Sequence, residues 1–395
     1  MESDHAAKLM QSLLRTMVQN EASDLIITAG FPPAIKVDGK IRPVADRPIT
    51  AEQSALLVRT IMNDRQSREF DETKECNFAI SPSGIGRFRI SAFVQRGQQG
   101  MVLRTIKPEV PTIESLDLPP VLKDIAMTRR GLVIMVGATG TGKTTTLAAV
   151  VGERNRNSHG HIITIEDPIE FVHEHAGCVV TQREVGVDTI DWQAALKNTL
   201  RQAPDVIQIG EIRDRETMEL AVQFAETGHL CLTTLHANNA NQALDRIINF
   251  YPDERRPQLL MDLSFNLKAV VSQRLLRSAA GEGRVAAVEI MINTPLVADL
   301  IFKGAVAELK EQMAKSERFG MQTFDQSIFA LYERGDVTYE EAIRHADSQN
   351  ELRLRIKLES KREQHDFEEG IENMRIEKEE AGRSGNARVW NVPGT

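Results

Sequence analysis

Gly137-Ala138-Thr139-Gly140-Thr141-Gly142-Lys143-Thr144 is the stretch on which the reading of the whole chain turns. It satisfies G-x-x-x-x-G-K-[ST], with an apolar run at 132–136 before it and a helix-forming run at 142–154 behind it. Glycines let the backbone turn so that successive N–H groups face phosphate oxygens, and the N-terminus of the following helix adds the positive end of its dipole. In such a loop Lys143 reaches the β- and γ-phosphates and the Thr144 hydroxyl is placed for Mg2+. The run from Gly137 to Thr145 is therefore assigned to binding a nucleoside triphosphate with its magnesium ion.

Working outward, apolar segments at 132–136, 162–165, 206–209 and 230–234 alternate with helical patterns at 142–154, 192–201 and 217–227. This alternation predicts a parallel sheet with helical crossovers, an α/β domain. Open sheets of this kind bind ligands at the carboxyl ends of their strands. Three strands end there on titratable side chains: Glu166 after 161–165, Glu211 after 206–209, and His236 after 230–234. A carboxylate near a terminal phosphate can hold Mg2+ or orient water, and a histidine can stabilise the γ-phosphate. Each residue taken singly also reads as a solvated strand end or a cap, Asp167-Pro168 in particular. His229, at the start of its strand, reads as well as a satisfied core histidine.

Upstream, Leu9, Met10, Leu13, Leu14, Met17 and Val18 recur at helical spacing. Short β-like stretches at 25–28, 34–37, 77–80, 87–94 and 101–106, interrupted by one helix at 51–62, predict a smaller α+β module over 1–110. Pro108, Pro111 and Pro119-Pro120 mark a stiff connection, placed at 111–120. The α/β domain then covers 121–350, helical after Asn293, and 351–395 is a charged tail. The tail opens on Leu352, Leu354, Ile356 and Leu358 in alternation with charges, the pattern of a short edge strand, and Phe367, Ile371 and Met374 suit a helix face. It reads either as a solvated, partly disordered extension or as a docking segment.

The 395 residues carry 48 Lys+Arg against 56 Asp+Glu, a formal charge of −8. That balance gives no electrostatic footprint for a polyanion, so no nucleic-acid partner is expected. Cys76, Cys178 and Cys231 lie far apart, which argues for a reducing compartment and against a zinc site. With no apolar run of about 20 residues and no basic-then-apolar leader, a cytoplasmic location is expected.

Four segments in order, 137–144, 163–170, 204–214 and 227–236, resemble the Walker A, Asp-box, Walker B and His-box motifs of the secretion ATPase superfamily. Ser23-Asp24-Leu25-Ile26-Ile27-Thr28-Ala29-Gly30 and the residues after it resemble the opening of type IV pilus retraction ATPases. The resemblance spans about residues 20–339. It implies a RecA-like P-loop ATPase domain, a PAS-like N-terminal domain, a homo-hexameric ring and ATP at the interface of the two domains. It further implies a motor at the cytoplasmic face of the inner membrane that acts on the membrane platform protein to withdraw pilin. By that resemblance Glu211 is the catalytic glutamate, Glu166 the Asp-box acid and possible Mg2+ ligand, and His229 and His236 the His-box pair. The N-terminal domain is then expected to add phosphate-contacting arginines. Among Arg87, Arg89, Arg96 and Arg104, the best placed are Arg89 and Arg104; strand alternation also permits both to be exposed residues balancing nearby acids.

Two departures stand out. Gln208 occupies a buried parallel strand where an apolar residue is expected. Pro295-Leu296-Val297-Ala298-Asp299-Leu300-Ile301-Phe302 stands where the main retraction motor carries Ala-Ile-Arg-Asn-Leu-Ile-Arg. This replacement resembles the accessory branch of the family, which implies a main retraction ATPase ring as partner. Two further readings stay open. One is an adaptor that binds ATP with little turnover. The other is a pilus assembly or type II secretion ATPase, whose frequent tetracysteine insert three scattered cysteines cannot build.

Overall fold

Strands buried on both faces must be covered by other elements on both sides, and the chain supplies those elements in order. The computed structural model describes residues 2–37, 39–106 and 109–362. The N-terminal part runs α1 (Glu2–Gln19), β1 (Asp24–Ile27), β2 (Ala34–Val37), β3 (Lys40–Pro43), α2 (Ala51–Thr60), α3 (Asp64–Thr73), β4 (Glu75–Ile80), β5 (Arg87–Gln95) and β6 (Gln98–Ile106). Its strands form an antiparallel sheet in the order β3-β2-β1-β6-β5-β4. Met10, Leu13, Leu14 and Met17 of α1 pack with Leu57 of α2 and Phe70 of α3 over Leu25, Phe88, Ile90 and Leu103. Two helices stand where one was expected between β3 and β4. Apolar periodicity could not show α3, because Phe70 is its only buried residue; a reciprocal capping box between Asn63 and Gln66 starts it instead.

The second part begins with α4 (Val121–Ala126), β7 (Gly131–Val136), α5 (Lys143–Asn157), β8 (Gly160–Glu166), β9 (Cys178–Glu184) and α6 (Trp192–Thr199). It continues through β10 (Val206–Ile209), α7 (Arg215–Glu226), β11 (Leu230–Leu235), α8 (Ala240–Asn249), α9 (Arg256–Asn266), β12 (Leu267–Arg277) and β13 (Arg284–Ile292). These strands form a sheet in the order β13-β12-β7-β11-β10-β8-β9, parallel except for the antiparallel edge hairpin β12–β13. Leu132, Ile134 and Val136 face a core built with α7 and α8, while Val133 and Met135 face α4 and α5. The sequence pattern did not reveal β9 or the hairpin, whose runs are broken by polar residues such as Ser272 and Gln273 that the fold buries. The connection at 111–120 is no free linker: Ile113 and Leu118 are buried in the core beneath α4.

The chain closes with α10 (Pro295–Phe302), α11 (Leu309–Ala314), α12 (Phe324–Arg334), α13 (Tyr339–His345) and α14 (Gln349–Glu359). The expected edge strand at the start of the tail is a helix. Residues 352, 354, 356 and 358 satisfy a two-residue and a four-residue repeat equally well, and packing decides between them. Leu352 and Ile356 are buried beside Phe324, Ile328 and Ala342, whereas Leu354 and Leu358 face solvent. The Asp325 carboxylate anchors the entry to α14 by accepting from the Asp347 and Ser348 N–H groups. The folded body thus extends past residue 350; Phe367, Ile371 and Met374 lie outside the described residues, as do Asp38 and Pro108.

Ile356→Ala is expected to cost about 2–4 kcal/mol in denaturant unfolding, and Leu354→Ala less than about 0.5 kcal/mol. Equal losses at the two positions would refute the helix.

Candidate active site

Register brings the site together. Val136 pairs with Leu235, so Gly137 and His236 leave adjacent strands side by side. Ile165 pairs with Ile209, so Glu166 emerges next to Gly210 and Glu211. Between these ends opens a cavity of about 440 Å³ whose lining includes Lys143, Thr144, Glu166, Glu211, Arg213 and His236.

The phosphate loop is shaped by close approach to β12. A Cβ on Gly142, where φ is +86°, would lie 2.7 Å from the Gln273 amide nitrogen, and one on Gly137 would lie 2.8 Å from the Gln273 carbonyl oxygen. Gln273 also accepts a hydrogen bond of 2.6 Å from the Thr146 hydroxyl, fixing the first turn of α5. Lys143 is nearly buried, and its Nζ donates to the Gly137 and Ala138 carbonyls, both at 2.8 Å. Burial pushes its pKa down, opposed by the carboxylates of Glu211 and Glu170. The ammonium thus satisfies itself on the loop's own carbonyls, and Ala138, Thr139, Gly140 and Thr141 form the turn around it. Thr144 and Thr145 open α5 on the cavity side.

Glu211 is held at both oxygens: Oε1 lies 3.1 Å from His236 Nε2 and Oε2 accepts from Arg213 Nε at 3.1 Å. A carboxylate accepts only, so a hydrogen bond in this pair would require the proton on His236 Nε2. Burial, then the Lys143 charge, depresses the His236 pKa against the pull of Glu211. Arg213 also approaches Asp167, at 3.9 Å. The Thr234 hydroxyl donates to the Gly210 carbonyl at 2.7 Å and ties the Glu211 loop to β11.

Glu166 is 6 % exposed, and burial raises its pKa to about 7. The Thr164 hydroxyl at 2.6 Å and Gln182 Nε2 at 3.1 Å both donate to its Oε1 and partly offset that burial. Its strand neighbour Glu184 accepts from Arg87 of β5 at 2.9 Å and from the Ile169 N–H at 3.2 Å. The N-terminal sheet is thereby joined to the loop after Glu166.

Three expected residues are not brought to this cavity. His229 sits at the opposite end of β11, with its Nδ1 against the Thr227 hydroxyl and the Phe224 carbonyl, about 20 Å of strand from His236. Arg89 and Arg104 face each other across β5 and β6 on an exposed surface, where Arg104 pairs with Asp24 at 2.9 Å. The arginines lining the cavity are Arg213 and Arg284. Arg213 was within reach of sequence reasoning, two residues after Glu211; Arg284 and Gln273 belong to the hairpin that the pattern hid. Among the described residues, no group of three or more His, Cys, Asp or Glu could hold a metal by itself. The hard oxygens of Thr144 and Glu166 beside the loop fit Mg2+ held jointly with phosphates. The three cysteines are free and buried.

In metal-free protein the unfolded Glu166 releases its proton near 4.5 and the folded one near 7. The fold therefore binds the proton more tightly, and stability is lost as pH rises between those values. Measured as a difference in unfolding free energy from Glu166→Gln, so that titrations common to both proteins cancel, wild type should lose on the order of 3 kcal/mol across this window. A difference independent of pH would contradict the assignment.

The Type II/IV secretion system protein family model matches residues 2–344. The chain is 62% identical over 350 residues to the type IV pilus ATPase PilU of Pseudomonas aeruginosa, covering 89% of this chain and 92% of that one. It is 43% identical to the retraction ATPase PilT of the same organism, over 84% of this chain and 96% of PilT. A crystal structure of the pilus retraction motor PilT with bound ADP superposes with a TM-score of 0.82 at 36% identity, covering 87% of this chain and 98% of that one.

Proposed function

The chain belongs to the Type II/IV secretion system protein family and, within it, to the type IV pilus retraction ATPases; from that premise we propose a Mg2+-dependent motor subunit that converts ATP and water to ADP and phosphate to drive pilus retraction. One observation carries this reading: Lys143, nested in its phosphate loop, and Glu211, clamped by His236 and Arg213, face the same cavity.

In the proposed reaction the loop N–H groups and Lys143 bind the β- and γ-phosphates, drawing the ammonium off the Gly137 and Ala138 carbonyls. Thr144 and Glu166 would hold Mg2+, which when bound would spread and neutralise charge on the phosphates. Glu211 accepts the proton of the attacking water, for which Arg213 must first release its Oε2. His236 keeps Oε1 oriented meanwhile. A freed Arg213 guanidinium can then turn to the transferring phosphoryl group.

Because Arg89 and Arg104 lie away from the cavity of their own chain, their proposed phosphate contacts belong to a ring in which one subunit's N-terminal domain covers a neighbour's cavity. A homo-hexamer of this kind, at the cytoplasmic face of the inner membrane, would act on the platform protein as an accessory to the main retraction ATPase ring. The higher identity to PilU than to PilT supports the accessory branch. Among the described residues no helix is long and apolar enough to cross a membrane.

Glu211→Gln is expected to lower ATP turnover about 10²–10⁴-fold with nucleotide binding retained, and Lys143→Ala to abolish tight binding. Phosphate release and nucleotide titration, each with Mg2+ and with chelator, check both. Wild-type turnover in either variant overturns the reading, and a wild-type chain that binds ATP without turnover, alone or with its partner ring, would be an adaptor.

A further inference from the structure

Gln208 is the only cavity-lining residue, among the described ones, with a buried side-chain atom that lacks a hydrogen-bond partner. It lies in the middle of β10, in register with Thr164 and Leu232, and is 5 % exposed. A strand covered on both faces calls for an apolar side chain here, and an orphaned buried carbonyl destabilises the ligand-free fold.

Three donors on or beside these strands are already committed. The Thr164 hydroxyl donates to Glu166, the Thr234 hydroxyl to the Gly210 carbonyl, and Lys143 to its own loop. With those three engaged, a partner for the Gln208 Oε1 can enter with the ligand. Phosphate oxygens only accept, so the nucleotide's phosphates cannot supply it. Mg2+ can, because it gives up its hydration shell reluctantly and keeps several waters, each a polarised donor.

We propose that Gln208 is a positioning residue for the metal-nucleotide complex: its carbonyl accepts a hydrogen bond from a water of the Mg2+ shell, shared with the Glu166 carboxylate. Glu166 is suited to this, since Oε1 takes both Thr164 and Gln182 while Oε2 accepts no hydrogen bond. In this proposal a half-turn about the last side-chain bond, which is torsionally soft, exchanges the carbonyl with the amide NH2 and turns the oxygen to the cavity. The inference rests on the reading that nucleotide binds with Mg2+.

The test uses full-length protein and ADP, titrated with Mg2+ and with chelator, alongside melting of the ligand-free form. Gln208→Met keeps the length of the side chain and removes the acceptor; Gln208→Leu is a second apolar variant. Both should melt at or above the wild-type temperature without ligand, bind metal-free ADP within about twofold of wild type, and lose about tenfold of the Mg2+ enhancement of affinity. Gln208→Glu, which keeps an acceptor, should retain the enhancement. Full Mg2+ enhancement in the apolar variants, whatever their melting temperature, overturns this inference alone. A wild-type protein that binds ADP equally with and without Mg2+ overturns the Mg2+ reading and this inference with it.

Discussion

Parallel pairing of β7, β11, β10 and β8 is the constraint on which the rest of the molecule depends. Parallel strands cannot be joined by tight turns, so helices must cover both faces, and every strand must point its carboxyl end to the same edge. The buried runs of β7, β10 and β11 meet that demand with side chains that leave no face for solvent. Once the register is set, the loop after β7, Glu166, Glu211 and His236 have to meet. The cavity is thus a consequence of the sheet, and the chemistry is concentrated in the few residues that step off its edge.

Those residues find partners within the chain itself. Lys143 binds carbonyls of its own loop, and the Glu211 carboxylate is occupied by His236 and Arg213. Both arrangements exchange internal hydrogen bonds for contacts with a phosphate or a water, which lowers the desolvation cost of binding an anion in a half-closed cavity. Glu166 and Gln208 differ: one is a carboxylate raised by burial, the other an amide with an orphaned oxygen, and each gains from a partner that brings positive charge or a donor.

The N-terminal domain touches this machinery through few groups. Arg87 reaches from β5 to the buried carboxylate of Glu184, which also accepts the N–H of Ile169 in the loop behind Glu166. Removing one member of such a pair would leave a buried charge unpaired, so the two sheets and that loop are energetically linked. Glu184 thus joins β5 of the outer domain to the loop that follows the cavity residues Glu166 and Asp167.

Local sequence was enough to determine the phosphate loop, the alternation of β7, β10 and β11 with their helices, and the arrival of Glu166, Glu211 and His236 at one edge, because backbone geometry ties those features to short-range spacing. Long-range packing decided what spacing could not. It folded residues 352–358 as a helix because Leu352 and Ile356 found a core, and it paired the polar-broken runs of β12 and β13, which placed Gln273 against the loop. It also left Arg89 and Arg104 on an exposed surface away from the cavity of their own chain and brought Arg284 into it, while His229 stayed at the start of its strand, where the sequence had put it. Strand direction and partner, which no window of sequence contains, set which end of a strand a side chain occupies and what it can touch.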